Sequence, residues 1–475
     1  MLPASDPHPI TTLMAATRTE HDSLGPVNVP TDALYGAQTQ RAVDNFPISG
    51  QRMPARFIQA LAYIKRAAAT ANHELSLLSE LRMQAIVQAA TRLVNGEFLE
   101  HFPVDVYQTG SGTSSNMNIN EVISHLATQI LEGHTVHPND HVNMCQSSND
   151  VVPTAIHLSA SLALRDDLLP ALIELQNTLR VKSLAFDDVL KSGRTHLMDA
   201  TPIRLGQEFG GYAAQISHGI QRIQIALTEL SEVALGGTAT GSGINRHPMF
   251  PRRTLKHVNN ATGLSLHEAQ NHFEAQAAKD GAVMASGALN TLAVSLMKVA
   301  NDIRYLSSGP TSGLAEIKLP TIQPGSSIMP GKVNPVLCEA MMMACARVMG
   351  NHTTITIGAQ HGNLELNVMM PVIADCLLQS INILSGACRA LNDRCITGIE
   401  ADRGRCQDLL ELNPSLATAL NAAIGYDAAA QVAKEAAARR VPVRNVVREK
   451  DLVDEEVLDA ILNVRGMTEP GIPGQ

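Results

Sequence analysis

Residues Glu274–Ser308 read EAQAAKDGAVMASGALNTLAVSLMKVANDIRYLSS. Leu289, Leu292, Leu296, Val299 and Ile303 recur at three- and four-residue steps, with Ala at several of the positions around them. That spacing predicts one long helix over 274–308, apolar on more than one face. The same period recurs on either side. Residues 54–95 predict helix, broken near Asn72 and closed by Gly96. A second helix is expected from Pro153 to about Leu190, with Pro153 in its first turn, a kink at Pro170 and a stop at Gly193. A third is expected from Pro202 to about Leu235, ending at Gly236-Gly237. Another runs from Asn334-Pro335 to Gly350, and a last from Asn367 to Arg394 with Pro371 in its early part. Strand-like alternation is scarce, so the predicted class is all-α. Five such helices between about residues 150 and 400 predict a central bundle. Their apolar excess predicts association with copies of the same chain. After about residue 400 the helices become shorter and more charged.

The chain has 475 residues, too many for one core, so more than one domain is expected. Aromatic content is 3% and Trp is absent, leaving Ala, Leu, Ile, Val and 18 Met to pack the interior. A net charge of −9 without a Lys/Arg block argues against nucleic acid or an anionic membrane as partner. Seven Cys without a CxxC pair fit a reducing, cytoplasmic compartment. No uncharged apolar run is expected to reach membrane-spanning length. The first 18 residues carry a single Arg, Arg18, and no Lys, and lack a secretory pattern. Residues 1–13 precede Met14 and read as an extension or a misassigned start; they are expected to be disordered, with order beginning after about residue 17.

Polar clusters of Gly, Ser, Thr, Asn and His fill four connectors: 108–118, 137–150, 192–201 and 323–335. The last reads QPGSSIMPGKVNP. Its Gly-Ser-Ser turn can present backbone N–H groups to an anion, Lys332 adds a point charge, and Asn334 can orient a carboxylate.

At GSSIMPGKVNP the chain resembles the fumarase/aspartase superfamily. The likeness extends from Thr17 to about Gly471, through YGAQTQRAVDNFPIS (35–49), GSGTSSNMNINEV (110–122), HPNDHVNMCQSSNDVVPTA (137–155), SGRTHLMDATPIRLGQE (192–208), ALGGTATGSGIN (234–245) and GNLELNV (362–368). The order is that of class II fumarases. The resemblance implies a three-domain helical fold, divided here at 1–146, 147–402 and 403–475, with the central bundle as tetramerisation core. It implies a homotetramer with each active site shared among three subunits. It implies a small dicarboxylate substrate, fumarate or malate, a place in the tricarboxylic acid cycle, and no metal or organic cofactor.

By the same resemblance, Ser326 is the base that removes a C–H proton, and Lys332 and Asn334 hold the carboxylate on which charge accumulates. His196, with Thr195, handles water, and Glu339 polarises that His. Ser111, Thr113, Ser147, Ser148 and Asn149 bind the substrate carboxylates. His137, Asn139 and Asp140 match a second anion site. The Arg that usually assists that site has no counterpart, and His134 stands near its place. A Ser hydroxyl serves as a base only where neighbouring N–H groups and a cation stabilise its alkoxide. Cys145 stands where Ser is common, two residues before Ser147, so its modification is expected to block the site. Arg194 reads as a structural ion-pair residue. Two alternatives stay open on sequence: an aspartate ammonia-lyase on the same scaffold, and a non-catalytic structural homologue. QSSND (146–150) and MPGKVNP (329–335) match fumarases, whereas aspartases have QSTND and MPAKVNP.

Overall fold

The computed structural model describes residues 16–472. The expected N-terminal extension, residues 1–13, lies outside the described residues, and Thr17 already belongs to a strand, Thr17–Asp22. Helices dominate, and strands are confined to five two-stranded ladders among the described residues, so the all-α class holds. Residue contacts divide the chain into two compact units, with four divisions inside the long helices Leu205–Glu229, Asp280–Leu306, Val336–Ala359 and Met370–Arg394.

The first unit comprises residues up to Arg165, Ile225–Gly287 and Gly350–Ile381. Its helix Ala55–Glu74 buries Phe57, Ile58, Leu61, Ile64, Ala68 and Ala71 along one face. The break expected near Asn72 falls just beyond it. The Asn72 carbonyl accepts N–H bonds from Leu77 and Leu78, and its side chain donates to the Met144 carbonyl at 3.1 Å. Helix Glu80–Val94 follows and closes at Gly96, which takes a φ of 85°.

The helix expected at Pro153 starts earlier, at Ser148, and ends at Ala163. Ser147 and Asp150 form a reciprocal capping box that outranks the proline as start signal. Pro153 therefore lies inside the helix rather than in its first turn, and leaves the Asn149 carbonyl without its usual i+4 donor. The kink expected at Pro170 is a π-helical turn, Leu164–Leu168, before a new helix Leu169–Ala185.

The long helix expected over 274–308 is two helices, His272–Ala277 and Asp280–Leu306. Ala278 between them is extended, with ψ 155°. Lys279 is buried at 2% exposure, and its ammonium bonds the Ala275 and Ala278 carbonyls that this break releases.

The second unit comprises Asp166–Gln224, Ala288–Met349 and residues from Asn382 onward. Here the sequence reading needs a correction. Leu190–Thr195 and Met198–Arg204 form a β-hairpin, so Gly193 and Pro202 belong to strands and not to a helix stop and start. A Cβ on Gly193 would meet the Thr201 carbonyl at 2.6 Å, which is why glycine is required there. In the first unit, Gly350 does not end its helix, which continues to Ala359; an interior glycine costs about 1 kcal/mol without breaking a helix. The C-terminal helices, from Arg403–Glu411 to Glu455–Ile461, share a small core of Leu410, Leu420, Val432, Val446, Val447 and Leu458.

Two segments, Asp280–Leu306 and Met370–Gly398, are by length and composition long and apolar enough to cross a membrane, although both carry charged residues and neither is an uncharged run of that length. Uncharged Ser, Asn, Thr and Gly keep their charge low. Leu289, Leu292, Leu296, Val299 and Ile303 are buried within the protein, as in a core helix.

Candidate active site

The first unit gathers five of the expected carboxylate-binding residues. Gly112, at φ 72°, leads into helix Thr113–Ile130, and a Cβ on it would strike the Val152 side chain at 2.9 Å. That close approach sets the start of this helix beside the start of Ser148–Ala163. A chain of hydroxyls results: Ser111 Oγ to Thr113 Oγ1 at 2.8 Å, and Thr113 Oγ1 to Ser148 Oγ at 2.7 Å. Asn149 donates to the Ala239 carbonyl at 2.8 Å, and Ser147 Oγ accepts from the Asn149 N–H at 3.2 Å. Two helix N-termini and three linked hydroxyls suit an anion. Segment 362–368 closes over this loop: a Cβ on Gly110 would lie 1.8 Å from the Val368 carbonyl oxygen, and Met370 N–H donates to the Gly110 carbonyl at 3.0 Å.

Two buried charges that sequence reading missed support this arrangement. Asp150 is fully buried and accepts N–H bonds from Ser147, Gly236 and Thr238 at 2.9–3.0 Å. It thereby docks the Gly-rich segment 236–243 on the site. Burial raises its pKa against the pull of those bonds. Lys65 is fully buried and donates to Asn143 Oδ1 at 2.8 Å and Gln146 Oε1 at 3.0 Å. Burial brings its pKa down to about 7, opposed by Asp150. A lysine in the apolar run ALAYIKRAAA was the available signal.

In the second unit, Ser326, Lys332 and Asn334 share one closed loop. Gly325 N–H donates to the Lys332 carbonyl at 2.8 Å, and the Asn334 side-chain amide donates to the Gly325 carbonyl at 2.6 Å. Ser326 Oγ accepts from the backbone N–H groups of Ile328 at 3.3 Å and Met329 at 3.1 Å. A hydroxyl oxygen already receiving two N–H dipoles is poised to carry negative charge. Lys332 is exposed on the same loop. Asn334 spends one N–H on loop closure, and its second N–H and its oxygen are the parts available to a ligand.

His196 and Leu197 form the two-residue tip of the β-hairpin, at φ 55° and 62°. Two consecutive left-handed residues without glycine are strained, as side chains held at functional sites often are. Thr195 and His196 are exposed there, and Glu339 is exposed on the helix after the signature loop. Among the described residues His196 and Glu339 make no hydrogen bond to each other. Arg194, two residues before His196, is an ion-pair residue as expected: it grips both oxygens of buried Glu316 at 2.9 and 3.0 Å.

At the expected second anion site, His137 Nδ1 accepts the Asp140 N–H at 3.1 Å and lies 3.2 Å from its carboxylate, with Asn139 exposed beside them. Cys145 is half-buried at φ 64°, and burial raises its thiol pKa against a bond from the His247 N–H. It is therefore not an activated thiol. All seven cysteines are free. Among the described residues no group of three His, Cys, Asp or Glu side chains could hold a metal ion.

A lyase family model matches residues 25–350, and a model described as the fumarase C C-terminus matches residues 416–469. The class II fumarate hydratase 2 of Bradyrhizobium diazoefficiens is 49% identical over 465 residues, covering 97% of this chain and 98% of the relative. The class II fumarate hydratase of Xylella fastidiosa is 50% identical over 455 residues, covering 96% of each. Among solved structures, recombinant class II fumarase from Schistosoma mansoni aligns with a TM-score of 0.93 at 38% identity, over 95% of this chain and 99% of that one.

Proposed function

Because the chain belongs to the class II fumarate hydratase family of lyases, we propose that it catalyses the reversible hydration of fumarate to (S)-malate, the step this family supplies to the tricarboxylic acid cycle. In the malate direction Ser326, as alkoxide, takes the proton from the carbon beside a carboxylate. Charge then spreads into that carboxylate as an aci-carboxylate, held by the Lys332 ammonium and the Asn334 amide. Ser111, Thr113, Ser147, Ser148 and Asn149 hold the substrate carboxylates with hydroxyls and helix N-terminal amides. His196, steadied by Thr195 and polarised by Glu339, protonates the leaving hydroxide, and in the hydration direction it deprotonates water. None of these steps calls for a cofactor. His137, Asn139 and Asp140 form at most a weak second dicarboxylate site, lacking the assisting Arg.

The observation that carries this reading is the pair of backbone N–H groups on Ser326 Oγ, in a loop closed beside Lys332. Loss of a proton from serine at neutral pH needs that stabilisation.

In this reading the enzyme is a cytoplasmic homotetramer whose active sites each draw on three subunits. Exposed apolar side chains at the tips of the polar segments support it: Leu197 at 70%, Ile328 at 83% and Leu364 at 87%. Each gains about 1.5–3 kcal/mol when covered. Val294, Met343 and Ile357, exposed on the long helices, support the same association. The free thiols support the compartment.

The test is a paired assay of the purified protein, following fumarate absorbance with malate and with aspartate as substrate. Turnover of malate is expected. Turnover of aspartate alone would make the enzyme an ammonia-lyase, and inertness to both would leave only the scaffold.

A further inference from the structure

An isolated two-stranded hairpin is marginal in water. The hairpin carrying Thr195 and His196 is also poorly made by the standards of its ladder. Pro202 has no N–H to give. The register slips between Ser192 and Arg194, where the opposite strand carries an extra residue facing Gly193. The tip holds two left-handed non-glycine residues. Backbone pairing, although it reaches Thr195 and Met198 at the tip, is thus irregular, and side chains add to what places His196.

Asn413 donates to Ser192 Oγ and the Ala200 carbonyl, Ser415 donates to the Asp199 carbonyl, and the two cations of the first strand converge on one carboxylate. Glu316 is fully buried. Its Oε1 accepts from one Arg194 nitrogen at 3.0 Å and its Oε2 from the other at 2.9 Å. Lys191, also fully buried, lies 3.3 Å from Oε2 and donates to Glu208 Oε1 at 3.0 Å. Both cations sit on the strand that ends at Thr195. The Glu316 backbone is itself anchored: its N–H donates to the Leu306 carbonyl and its carbonyl accepts from the Asp402 N–H, each at 2.9 Å. Ile317 and Lys318 then pair with Ala401 and Glu400, and the chain runs on from there into the Ser326 loop. A two-point Arg–carboxylate fork fixes direction as well as distance, which a single ammonium contact does not.

We propose that Glu316 is a positioning residue: its buried carboxylate, through Arg194 and Lys191, sets the orientation of the hairpin tip that presents His196, and ties that tip to the segment leading into the Ser326 loop. The inference rests on the hydratase reading above. It requires that His196 act in the proton-transfer step, so loosening its support should slow turnover more than it weakens substrate binding.

The first measurement is malate turnover by the wild-type tetramer; its absence sinks the hydratase reading and not this geometry. E316Q is then compared with wild type on the same tetrameric, folded fraction. The expected result is a fall in kcat of at least ~10-fold, KM changed by less than about threefold, and a displaced limb in the kcat–pH profile. E316D, which keeps the charge, should recover part of the loss. R194K keeps the cation without the fork and should show the same kcat-selective defect, so the idea stays testable if E316Q does not fold. Hydrogen exchange at the amides of 190–204 should quicken in each defective variant, a readout independent of turnover. Folded E316Q or R194K with wild-type kcat, pH profile and hairpin protection would overturn the proposal.

Discussion

Replacing Gly325 by alanine tests the signature loop without touching any group that meets substrate. The added Cβ would lie 2.4 Å from the Lys332 carbonyl oxygen, 2.9 Å from its carbon and 3.0 Å from the Asn334 nitrogen. These are backbone atoms and cannot rotate away. The carbonyl must retreat by at least about 0.6 Å to reach a tolerable contact, and more to restore van der Waals distance. That retreat breaks the Gly325–Lys332 bond at 2.8 Å and strains the Asn334–Gly325 bond at 2.6 Å. Two bonds at about 1 kcal/mol each set the local loss near 2 kcal/mol. The loop is largely exposed, so the loss should stay local and leave the melting temperature nearly unchanged. Catalysis should not be spared, because Lys332 and Asn334 move relative to Ser326. A misplacement approaching 1 Å costs about 10²-fold, so kcat should fall by one to two orders of magnitude. The assay is the initial rate of fumarate appearance from malate, with kcat and KM fitted separately and a thermal melt on the same sample. Asn334→Ala, which removes one closure bond and the proposed carboxylate contact, should behave similarly. A G325A enzyme with kcat within about threefold of wild type would show that loop closure does not hold the base and its cation in register.

Ser326→Ala should lower kcat by ~10²–10⁴ with assembly intact, and Lys332→Met by at least ~10², both measured in the malate assay; near-normal rates in either would mean the chemistry lies elsewhere. Lys279, buried at 2% exposure, has its pKa brought down to about 7 by burial, below its unfolded value of 10.5. The unfolded chain therefore binds the extra proton between those values, and this group's contribution to stability rises with pH across that window. At 1.36 kcal/mol per pH unit the cost of keeping it charged is roughly 5 kcal/mol at or below pH 7. The stability of K279M relative to wild type should therefore be most favourable near pH 7 and decline towards pH 10 in denaturant titrations, and a pH-independent difference would refute the assignment. Cys145, with its thiol pKa raised by burial, should alkylate slowly at neutral pH. Once labelled it should block the site beside Ser147, as mass-spectrometric stoichiometry set against residual activity will show; full activity at complete labelling would dispose of that expectation.

The sequence by itself determined the helical class, because three- and four-residue apolar spacing survives in any packing that buries one face of a helix. It also picked out the signature loop, where residues adjacent in the chain, Gly325, Ser326, Lys332 and Asn334, make the geometry among themselves. Local signals erred where a distant partner outbid them. Gly193 and Pro202 read as helix punctuation, yet the chain there is a hairpin because Glu316 binds Lys191 and Arg194 and Asn413 bonds Ser192 and the Ala200 carbonyl. Pro153 read as a first turn, yet the Ser147–Asp150 cap, itself docked on Gly236 and Thr238, started the helix sooner. Only the tertiary structure decided these, together with the depth of Lys65, Asp150 and Glu316. Whether a charged side chain is solvated or buried depends on what residues dozens to hundreds of positions away bring to it, and no local spacing encodes that.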